Sequence, residues 1–257
     1  MSSENMKTFT KENLDTYLGE LAKQYRKLNG KGMEAEIILV GGAAILANYG
    51  FRDMTTDVDA LIRASSSMKD AINYVGDKYG LTNGWLNADF SRTASYSQKL
   101  VQHSRYYRTF SNVLHVRAVS AEYLVAMKLM SGRQYKHDLS DVIGILLEHQ
   151  ENGNTISLEA VEQAVAALYG EWERLPATSI SFIRSAMEHT DLKSVYDQIT
   201  KSEQEARSIL LSFEERYPGV TKMDNADKIL SAERARTESK DSLLEALKAR
   251  RNSERER

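Results

Sequence analysis

The chain has 257 residues, of which 42% are hydrophobic and 27% are charged, and its formal net charge is -2 at pH 7. This near balance of charge argues against a protein that coats nucleic acid by bulk positive charge, although it leaves room for a local basic patch. There is no cysteine, which excludes a disulfide scaffold and a thiolate metal site.

The opening segment and the hydropathy of the chain favour a protein that does not enter a membrane. The first residues, MSSENMKTFTKEN, are polar and lack the apolar stretch of a secretory signal. No run approaches the ~20 apolar residues that a membrane-spanning helix needs. We therefore expect a cytoplasmic protein with no membrane partner.

The first part of the chain alternates helical and strand patterns. Thr10 is a suitable N-cap for a helix whose apolar residues recur at helical spacing. The run AEIILV, residues 35–40, is short, apolar and rich in β-branched residues, which is typical of a buried strand. A glycine pair then opens a short predicted helix that Gly50 ends. The run DVDALI, residues 57–62, predicts the next strand.

The middle of the chain is less regular. Ser66 or Ser67 is the expected cap of a helix that runs to Tyr79. Residues 80–109 fit no single pattern, whereas residues 112–120 predict a strand. Two amphipathic helices are predicted next, one between a Ser120 cap and a Gly132 stop and one over residues 137–149.

The remaining sequence predicts helices and sets our expected domain boundaries. The polar break QENGN separates a first domain, residues 1–150, from helical patterns that begin at Ser157. After Pro218 the sequence becomes dense in charge and poor in aromatic residues. We predict a helical domain over residues 151–218 and a tail over residues 219–257 that is either a solvated helix or disordered.

Two aspartates stand close together inside an otherwise apolar run. On a strand, residues i and i+2 point to the same face, so Asp57 and Asp59 should project side by side. Two ionised carboxylates at that distance repel each other. A divalent cation relieves this repulsion, and Mg²⁺ is commonly held by one or two carboxylates together with substrate phosphates. The pair is therefore a candidate site for Mg²⁺, or for Mn²⁺ in its place.

A glycine pair supplies the second half of the candidate site. Gly41 and Gly42 follow a predicted strand and open a predicted helix. Without Cβ atoms their backbone can approach a phosphate, and the helix N-terminus presents free N–H donors to it. Alone, a Gly-Gly pair is more often a simple turn, and a D-x-D pair is more often a solvated edge. Together they indicate phosphoryl or nucleotidyl transfer.

This arrangement resembles the signature of the DNA polymerase β-type nucleotidyltransferase superfamily, in which an apolar residue, Gly-Gly or Gly-Ser, and a spacer precede an acid-apolar-acid triplet. It is closer still to the small stand-alone AbiEii-like and minimal nucleotidyltransferase groups. There an Arg and a Thr come shortly before the acid pair, as Arg52 and Thr56 do here. The resemblance covers roughly residues 35–150 and implies an α+β fold: a small mixed β-sheet core flanked by helices, followed by a helical C-terminal region.

A second segment, SAEYLVAMKLMSGRQYKHDLSDVIGIL, is similar to the helix pair that follows in these families. The resemblance implies that Lys128 and Arg133 bind the triphosphate of a nucleotide, as Gly41, Gly42 and Thr56 would also do. Asp138 and Asp141 would then anchor Arg133 or Lys136. The alternative is that these residues form an exposed charged face of a helix. The sequence leaves the two readings open. Lys128, Arg133, Asp138 and Asp141 all lie between Ser120 and Leu146.

The resembling families often carry a third carboxylate on a later strand. The predicted strand over residues 112–120 offers His115 and Arg117 instead, and no acid. Asp89 could take the place from a loop, and Glu122 is close in sequence. The protein would otherwise work with two acids or lack transfer activity. His115 could act as a general base, although a satisfied structural histidine is the more common case.

A basic and aromatic segment is the candidate acceptor surface. Residues 98–110, QKLVQHSRYYRTF, interleave basic residues, which attract phosphates, with aromatic residues, on which bases stack. This composition would suit an RNA acceptor such as a tRNA end. The alternative is an ordinary helix or strand with an aromatic core face and a basic outer face, and we favour the alternative here.

These patterns support three hypotheses. The first is an Mg²⁺-dependent nucleotidyltransferase that moves a nucleoside monophosphate from an NTP onto tRNA or protein; the resemblance implies a toxin or phage-defence factor, with a cognate antitoxin as a partner. The second is a catalytically inactive relative that binds a nucleotide, RNA or a protein partner. The third is a helical interaction module in which the charged tail docks a partner chain.

Overall fold

The structure, a computed structural model, describes residues 7–222 and 224–237. The chain divides into two compact units. The first unit contains the described residues up to 132 and residues 141–195, and the second contains residues 133–140 and the described residues from 196 onward. Residues 238–257 of the predicted tail lie outside the described part. The domain boundaries that the sequence suggests at residues 150 and 218 stay predictions.

The first unit begins with alternating helices and strands, as the sequence predicts. Thr10 caps the first helix: its Oγ1 accepts a hydrogen bond from the Asn13 N–H (3.4 Å), and the Asn13 side chain accepts one from the Thr10 N–H (2.9 Å). Ser67 stands at the start of the third helix, but its hydroxyl donates to Asn29 rather than capping the helix. These elements are α1 (Lys11–Asn29), β1 (Ala35–Leu39), α2 (Gly41–Asn48), β2 (Val58–Arg63) and α3 (Met68–Tyr79).

The irregular stretch and the next predicted strand complete a five-stranded mixed sheet. They contribute β3 (Leu86–Asn87), β4 (Ser104–Phe110) and β5 (Leu114–Val119), with short 3₁₀ turns between β3 and β4. The strand order is β3-β2-β1-β5-β4. β1 pairs antiparallel with β2 and parallel with β5, whereas β4 pairs antiparallel with β5. This sheet with its flanking helices confirms the expected α+β fold.

Strand register brings the end of β1 beside the start of β2. Leu39, the last residue of β1, pairs with Ala60 of β2 on one side and with Ala118 of β5 on the other. Ala118 in turn pairs with Arg105 of β4. This row of four residues therefore lies across one end of the sheet, where the chain leaves β1 and enters α2.

The helices after the sheet mostly follow the predicted pattern. They are α4 (Ala121–Ser131), α5 (Asp138–Glu151), α6 (Leu158–Tyr169), α7 (Ala177–Glu188) and α8 (Leu192–Arg216). Gly132 ends α4 in a left-handed conformation, as expected for a helix stop. The helical pattern expected over residues 157–175 is interrupted, because Gly170 has φ of +94° and a short 3₁₀ turn follows it.

The second unit has its own small core. Ala206 and Leu210 of α8 are buried together with Ala226 and Leu230, and residues 226–237 are helical. Ala226 and Leu230 recur at helical spacing, and the other residues of this helix are exposed or partly exposed. The expectation of a solvated helix or a disordered tail over residues 219–257 stays a prediction.

A buried carboxylate from α8 caps the start of α5 within the second unit. Glu203 is 3% exposed and accepts hydrogen bonds from the backbone N–H groups of Leu139 (2.9 Å) and Ser140 (3.2 Å) and from the Ser140 hydroxyl (2.6 Å). The first N–H groups of a helix have no acceptor within the helix. Glu203 therefore acts as an N-terminal cap that a distant segment supplies.

Among the described residues, no helix is both long enough and apolar enough to cross a membrane.

Candidate active site

The acid pair lies at the end of the sheet where α2 begins. Asp59 is the second residue of β2 and is half-buried, whereas Asp57 is exposed and immediately precedes the strand. The strand therefore starts one residue later than the sequence predicts. The Val40 N–H donates to the Asp59 carbonyl oxygen at 3.0 Å, so the acid pair and the glycine pair belong to one local structure.

The two glycines are needed for different reasons. Gly41 has φ of +53°, in the region that favours glycine, and no atom lies within 4 Å of the position that its Cβ would occupy. A Cβ on Gly42 would instead lie 2.7 Å from Thr55 Oγ1 and 3.2 Å from Arg52 Nη2. Gly41 thus permits the turn into α2, and Gly42 permits the close approach of two side chains.

The start of α2 offers backbone donors to a ligand. Val40 occupies the N-cap position and has no side-chain oxygen with which to cap the helix. The first N–H groups of an α-helix have no partner within the helix, and the helix dipole favours an anion beside them. A phosphate would therefore be stabilised at this end of α2.

Two cations share one buried carboxylate next to Gly42. Arg52 Nη1 lies 2.7 Å and 2.5 Å from the two carboxylate oxygens of Asp141, and Lys128 Nζ lies 2.8 Å from Oδ2. The Asp141 side chain is 3% exposed. Arg52 and Lys128 thus share one buried carboxylate near the N-terminal end of α2, and we call this group the Asp141 trio.

The Asp141 trio differs from the predicted pairing. Sequence reasoning expected Asp138 and Asp141 to anchor Arg133 or Lys136. Asp138 does anchor Arg133, with Arg133 Nε at 2.7 Å from Oδ2 and Nη2 at 3.2 Å from Oδ1. The partners of Asp141 are Arg52 and Lys128 instead, because the fold brings the loop before β2 and helix α4 to this part of α5.

The remaining predicted nucleotide-binding residues are Arg133 and Thr56. Arg133 belongs to the second unit, and its assignment to nucleotide binding stays a prediction. Thr56 is exposed beside Asp57. Its neighbour Thr55, which the sequence did not single out, is buried and exchanges two backbone hydrogen bonds with Phe9 (2.7 and 2.9 Å). The loop before the acid pair is thus held to the segment that precedes α1.

His115, the histidine of the predicted strand, lies away from the acid pair. His115 of β5 pairs with Glu36 of β1, which pairs with Arg63, at the far end of β2 from Asp59. Four residues of strand correspond to roughly 13 Å, so His115 is not beside the acid pair. It lies instead 3.1 Å from Thr109 Oγ1 and 3.4 Å from Glu34, as a satisfied structural histidine does.

The strand next to the acid pair is β3. Asn87 of β3 is directly paired with Asp59, and its Oδ1 accepts a hydrogen bond from the Asp89 N–H at 2.8 Å. Asp89 itself is exposed and begins a 3₁₀ turn. In the described part of the chain, no three His, Cys, Asp or Glu side chains come together as a metal site.

The basic and aromatic segment contains the edge strand β4. Arg105 and Arg108 are exposed, as the predicted basic outer face requires, whereas the exposed Tyr106 departs from the predicted aromatic core face. Arg108 and the Tyr107 hydroxyl both contact Asp15 of α1, each at 2.7 Å. Burial and the bond to Asp15 raise the pKa of Tyr107, so this side chain serves to hold β4 to α1.

A glycine-led helix start, an acid pair at the beginning of the adjoining strand and a pair of cations beside the glycines are features typical of a nucleotidyltransferase. The sequence matches the family described as nucleotidyltransferase of unknown function (DUF6036) over residues 16–174, which is more than half of the chain. The chain belongs to this family. No curated protein and no solved structure matched it.

Proposed function

We propose that the protein is an Mg²⁺-dependent nucleotidyltransferase that moves a nucleoside monophosphate from an NTP onto a macromolecular acceptor. The observation that carries the proposal is the hydrogen bond from the Val40 N–H to the Asp59 carbonyl oxygen, at 3.0 Å. This bond supports the proposal because it joins the N-cap residue of α2, where a phosphate could bind, to the backbone of one of the two aspartates.

The donor set suits a hard divalent cation. Asp57 and Asp59 offer carboxylate oxygens at a point open to solvent, and Mg²⁺ or Mn²⁺ is commonly bound by such a pair together with substrate phosphates. When bound, the cation would neutralise charge on the phosphates of the donor. Asp57 and Asp59 would hold it, and the rigid strand would fix the position of Asp59.

The chain itself would bind and orient the donor. The backbone N–H groups of Gly41 and Gly42 at the start of α2 would hold the outer phosphates, and the Arg52 and Lys128 side chains would attract them. In the reaction, an acceptor hydroxyl oxygen forms a bond to the α-phosphorus and the bond from that phosphorus to the bridging oxygen breaks. Pyrophosphate leaves, and the hydroxyl proton is released to solvent.

The direct test compares Asp57→Ala and Asp59→Ala with Asp53→Ala, an exposed acid in the same loop. Each protein is incubated with labelled NTPs, Mg²⁺ and either total tRNA or total protein. We expect both pair variants to lose transfer by a factor on the order of 10³ or more while Asp53→Ala retains it. Equal labelling by the parent and the pair variants would reject the proposal, provided that their thermal unfolding is unchanged.

Dependence on the cation gives a second measurement on the unaltered protein. EDTA should abolish transfer, and added Mg²⁺ or Mn²⁺ should restore it. Transfer that persists in EDTA would show that the acid pair acts in another way.

For the acceptor and the biological context, we propose tRNA or protein, and a role as a toxin or phage-defence factor with a cognate antitoxin. The support is the resemblance of the segment from Gly41 to Asp59 to the AbiEii-like and minimal nucleotidyltransferase groups, including Arg52 and Thr56. Induced expression should arrest bacterial growth with the parent and with Asp53→Ala but not with Asp59→Ala. Equal growth in all three cultures would contradict this role.

An inactive relative is the second candidate, favoured by the pairing of Asp59 with Asn87 rather than with an acid. Under this alternative the protein binds a nucleotide, RNA or a partner protein without turnover. Calorimetric titration with ATP and Mg²⁺ alongside the transfer assay separates the two functions, because binding without labelling of any acceptor supports the alternative.

A further inference from the structure

A cavity of about 240 Å³ lies at the other end of α2 from the glycine pair, within the first unit. The residues that form it come from the end of α2, the end of β5, the exposed strand β4 and the end of α5. Its polar lining residues include Asn48, Tyr49, Arg105, His149, Asn152 and Asn154. We call it the His149 cavity.

Tyr49 and His149 form a fixed pair at the wall of the cavity. The His149 Nδ1 atom lies 3.3 Å from the Asn154 carbonyl oxygen, which can only accept, so Nδ1 carries the proton. In the neutral ring, Nε2 is then an acceptor, and it takes the hydrogen bond of the Tyr49 hydroxyl at 3.3 Å. Burial raises the pKa of Tyr49, which keeps this hydroxyl in its donating form.

The remaining walls carry planar hydrogen-bonding groups and a cation. Asn48, Asn152 and Asn154 are exposed at the cavity, and each amide has both donors and an acceptor. Asn side chains pair with the edges of nucleobases, and a histidine ring such as that of His149 can stack on a base. The Arg105 guanidinium is exposed at the same cavity and matches the geometry of a phosphate.

The size of the cavity suits one nucleotide unit. Pockets for drug-sized ligands range over roughly 300–1,000 Å³, so the His149 cavity admits a smaller group. Glu148, whose carboxylate is engaged by the Gly50 N–H at 2.9 Å, also lines the cavity and disfavours a ligand that carries several negative charges there.

The distance to the candidate active site is set by α2. The helix has eight residues, Gly41–Asn48, so its two ends are about 10 Å apart. Ala118 of β5, which lines the cavity, lies two strands from Ala60, which is also about 10 Å. A polyphosphate chain or one step of a nucleic-acid backbone can span a separation of this order.

We propose that the His149 cavity binds a nucleoside monophosphate unit, with its base at the asparagine amides and the His149 ring and its phosphate at Arg105. In relation to transfer, which rests on the proposed function, this unit is either the base end of the donor NTP or a nucleotide near the reactive end of an RNA acceptor. The binding itself needs neither the acid pair nor a cation.

The test measures binding of AMP, GMP, CMP and UMP by calorimetry in EDTA, where no transfer occurs. Asn48→Ala and Arg105→Ala alter exposed side chains of the cavity, and Asn73→Ala and Arg92→Ala are matched controls at exposed positions in the same unit. Tyr49→Phe removes the bond to His149 and nothing else. Thermal unfolding is recorded for every variant.

We expect at least one mononucleotide to bind the parent and both controls equally, and its Kd to rise about tenfold or more in Asn48→Ala and in Arg105→Ala. Asp59→Ala should bind it as the parent does, so a failure of the proposed catalysis does not affect this result. Absence of binding to the parent at millimolar mononucleotide would overturn the proposal. Unchanged Kd values in both cavity variants would overturn it as well.

Two further binding experiments distinguish a nucleotide of the acceptor from the base end of the donor. If the cavity holds the acceptor, a short RNA with a free 3′-hydroxyl binds more tightly than the mononucleotide, and Arg105→Ala weakens it. If it holds the donor base, an NTP analogue that cannot be cleaved at the α-phosphorus displaces the mononucleotide in Mg²⁺. Either outcome supports a nucleotide cavity and assigns its place in the reaction.

Discussion

Lys128 and Asp141 form an ion pair between two buried side chains, with Nζ at 2.8 Å from Oδ2 and side-chain exposures of 11% and 3%. Arg52 binds the same carboxylate from the loop before β2. One acid of α5 therefore fixes two cations that the chain supplies from positions far apart in sequence, and both cations lie on the side of the fold where α2 begins.

Removing the Asp141 charge should lower the stability of the fold more than removing one of its two partners. Asp141→Asn removes the buried negative charge that both Arg52 and Lys128 contact, so we expect the free energy of unfolding in urea to fall by about 3 kcal/mol. Lys128→Met leaves Asp141 paired with Arg52, and we expect a loss of about 1 kcal/mol. The exposed Lys99→Met is the control, with a change near zero. A fully stable Asp141→Asn variant would show that the trio contributes little to folding.

The same variants separate stability from function. If Lys128 attracts the phosphates of a donor, Lys128→Met should raise the KM for NTP by about tenfold at a temperature where the variant remains folded. Lys99→Met should leave KM unchanged. An unaltered KM in Lys128→Met would restrict Lys128 to a structural role.

Gly41 and Gly42 should respond differently to alanine. Gly42→Ala places a methyl group 2.7 Å from Thr55 Oγ1, and combining it with Thr55→Ala removes that atom. We expect Gly42→Ala to lower the unfolding temperature and the double variant to regain part of the loss, as measured by calorimetric melting. If the double variant is no more stable than Gly42→Ala, the contact with Thr55 is not the cause.

Gly41→Ala meets no neighbouring atom but must adopt φ near +53°. We expect a loss of about 1 kcal/mol in the free energy of unfolding, as for Gly153→Ala, where φ is +74° and the space is also open. Transfer activity should fall in Gly41→Ala but not in Gly153→Ala, because Gly41 lies beside the acid pair and Gly153 does not. Equal activity in the two variants would contradict a phosphate-binding role for the turn.

Glu203 offers a test within the second unit. Glu203→Ala removes the acceptor of the Leu139 and Ser140 N–H groups, so hydrogen exchange at these amides should accelerate about 30-fold, corresponding to about 2 kcal/mol. Glu205→Ala, exposed and two residues away on α8, is the matched control. Unchanged exchange in Glu203→Ala would mean that another group takes over the cap.

The question of a third acid can be settled with Asp89. Asp89 is exposed in the turn after β3, the strand that pairs with Asp59, and the proposed function uses Asp57 and Asp59 alone. Asp89→Asn should then keep transfer within about threefold of the parent, whereas a loss comparable to that of Asp59→Ala would identify Asp89 as a ligand that joins the site when the cation binds.

Local patterns in the sequence predicted the elements that carry the acid pair and the glycines. The strand over residues 35–39, the glycine-led helix and the strand that contains Asp59 are each encoded by consecutive residues, so hydrophobic periodicity is sufficient to find them. The one-residue displacement at Asp57 falls within the usual uncertainty of an element boundary.

Relationships between distant segments were not accessible in the same way. Arg52 and Asp141 are 89 residues apart, and no local pattern indicates that they meet. β3 has two residues, too few to show alternation, so the pairing of Asn87 with Asp59 could not be predicted. β4 could not be recognised from the sequence. It is an exposed edge strand and therefore carries charged residues at positions where a buried strand would have apolar ones.

The bridge between Phe9 and Thr55 has a practical consequence for handling the protein. Phe9 is 1% exposed and stacks on Trp85, so the residues ahead of α1 clamp the loop that presents Asp57. A shortened version that starts at Lys11 would lose this bridge together with the Thr10 cap of α1. Such a trimmed protein would serve poorly as a substitute for the full chain in activity measurements.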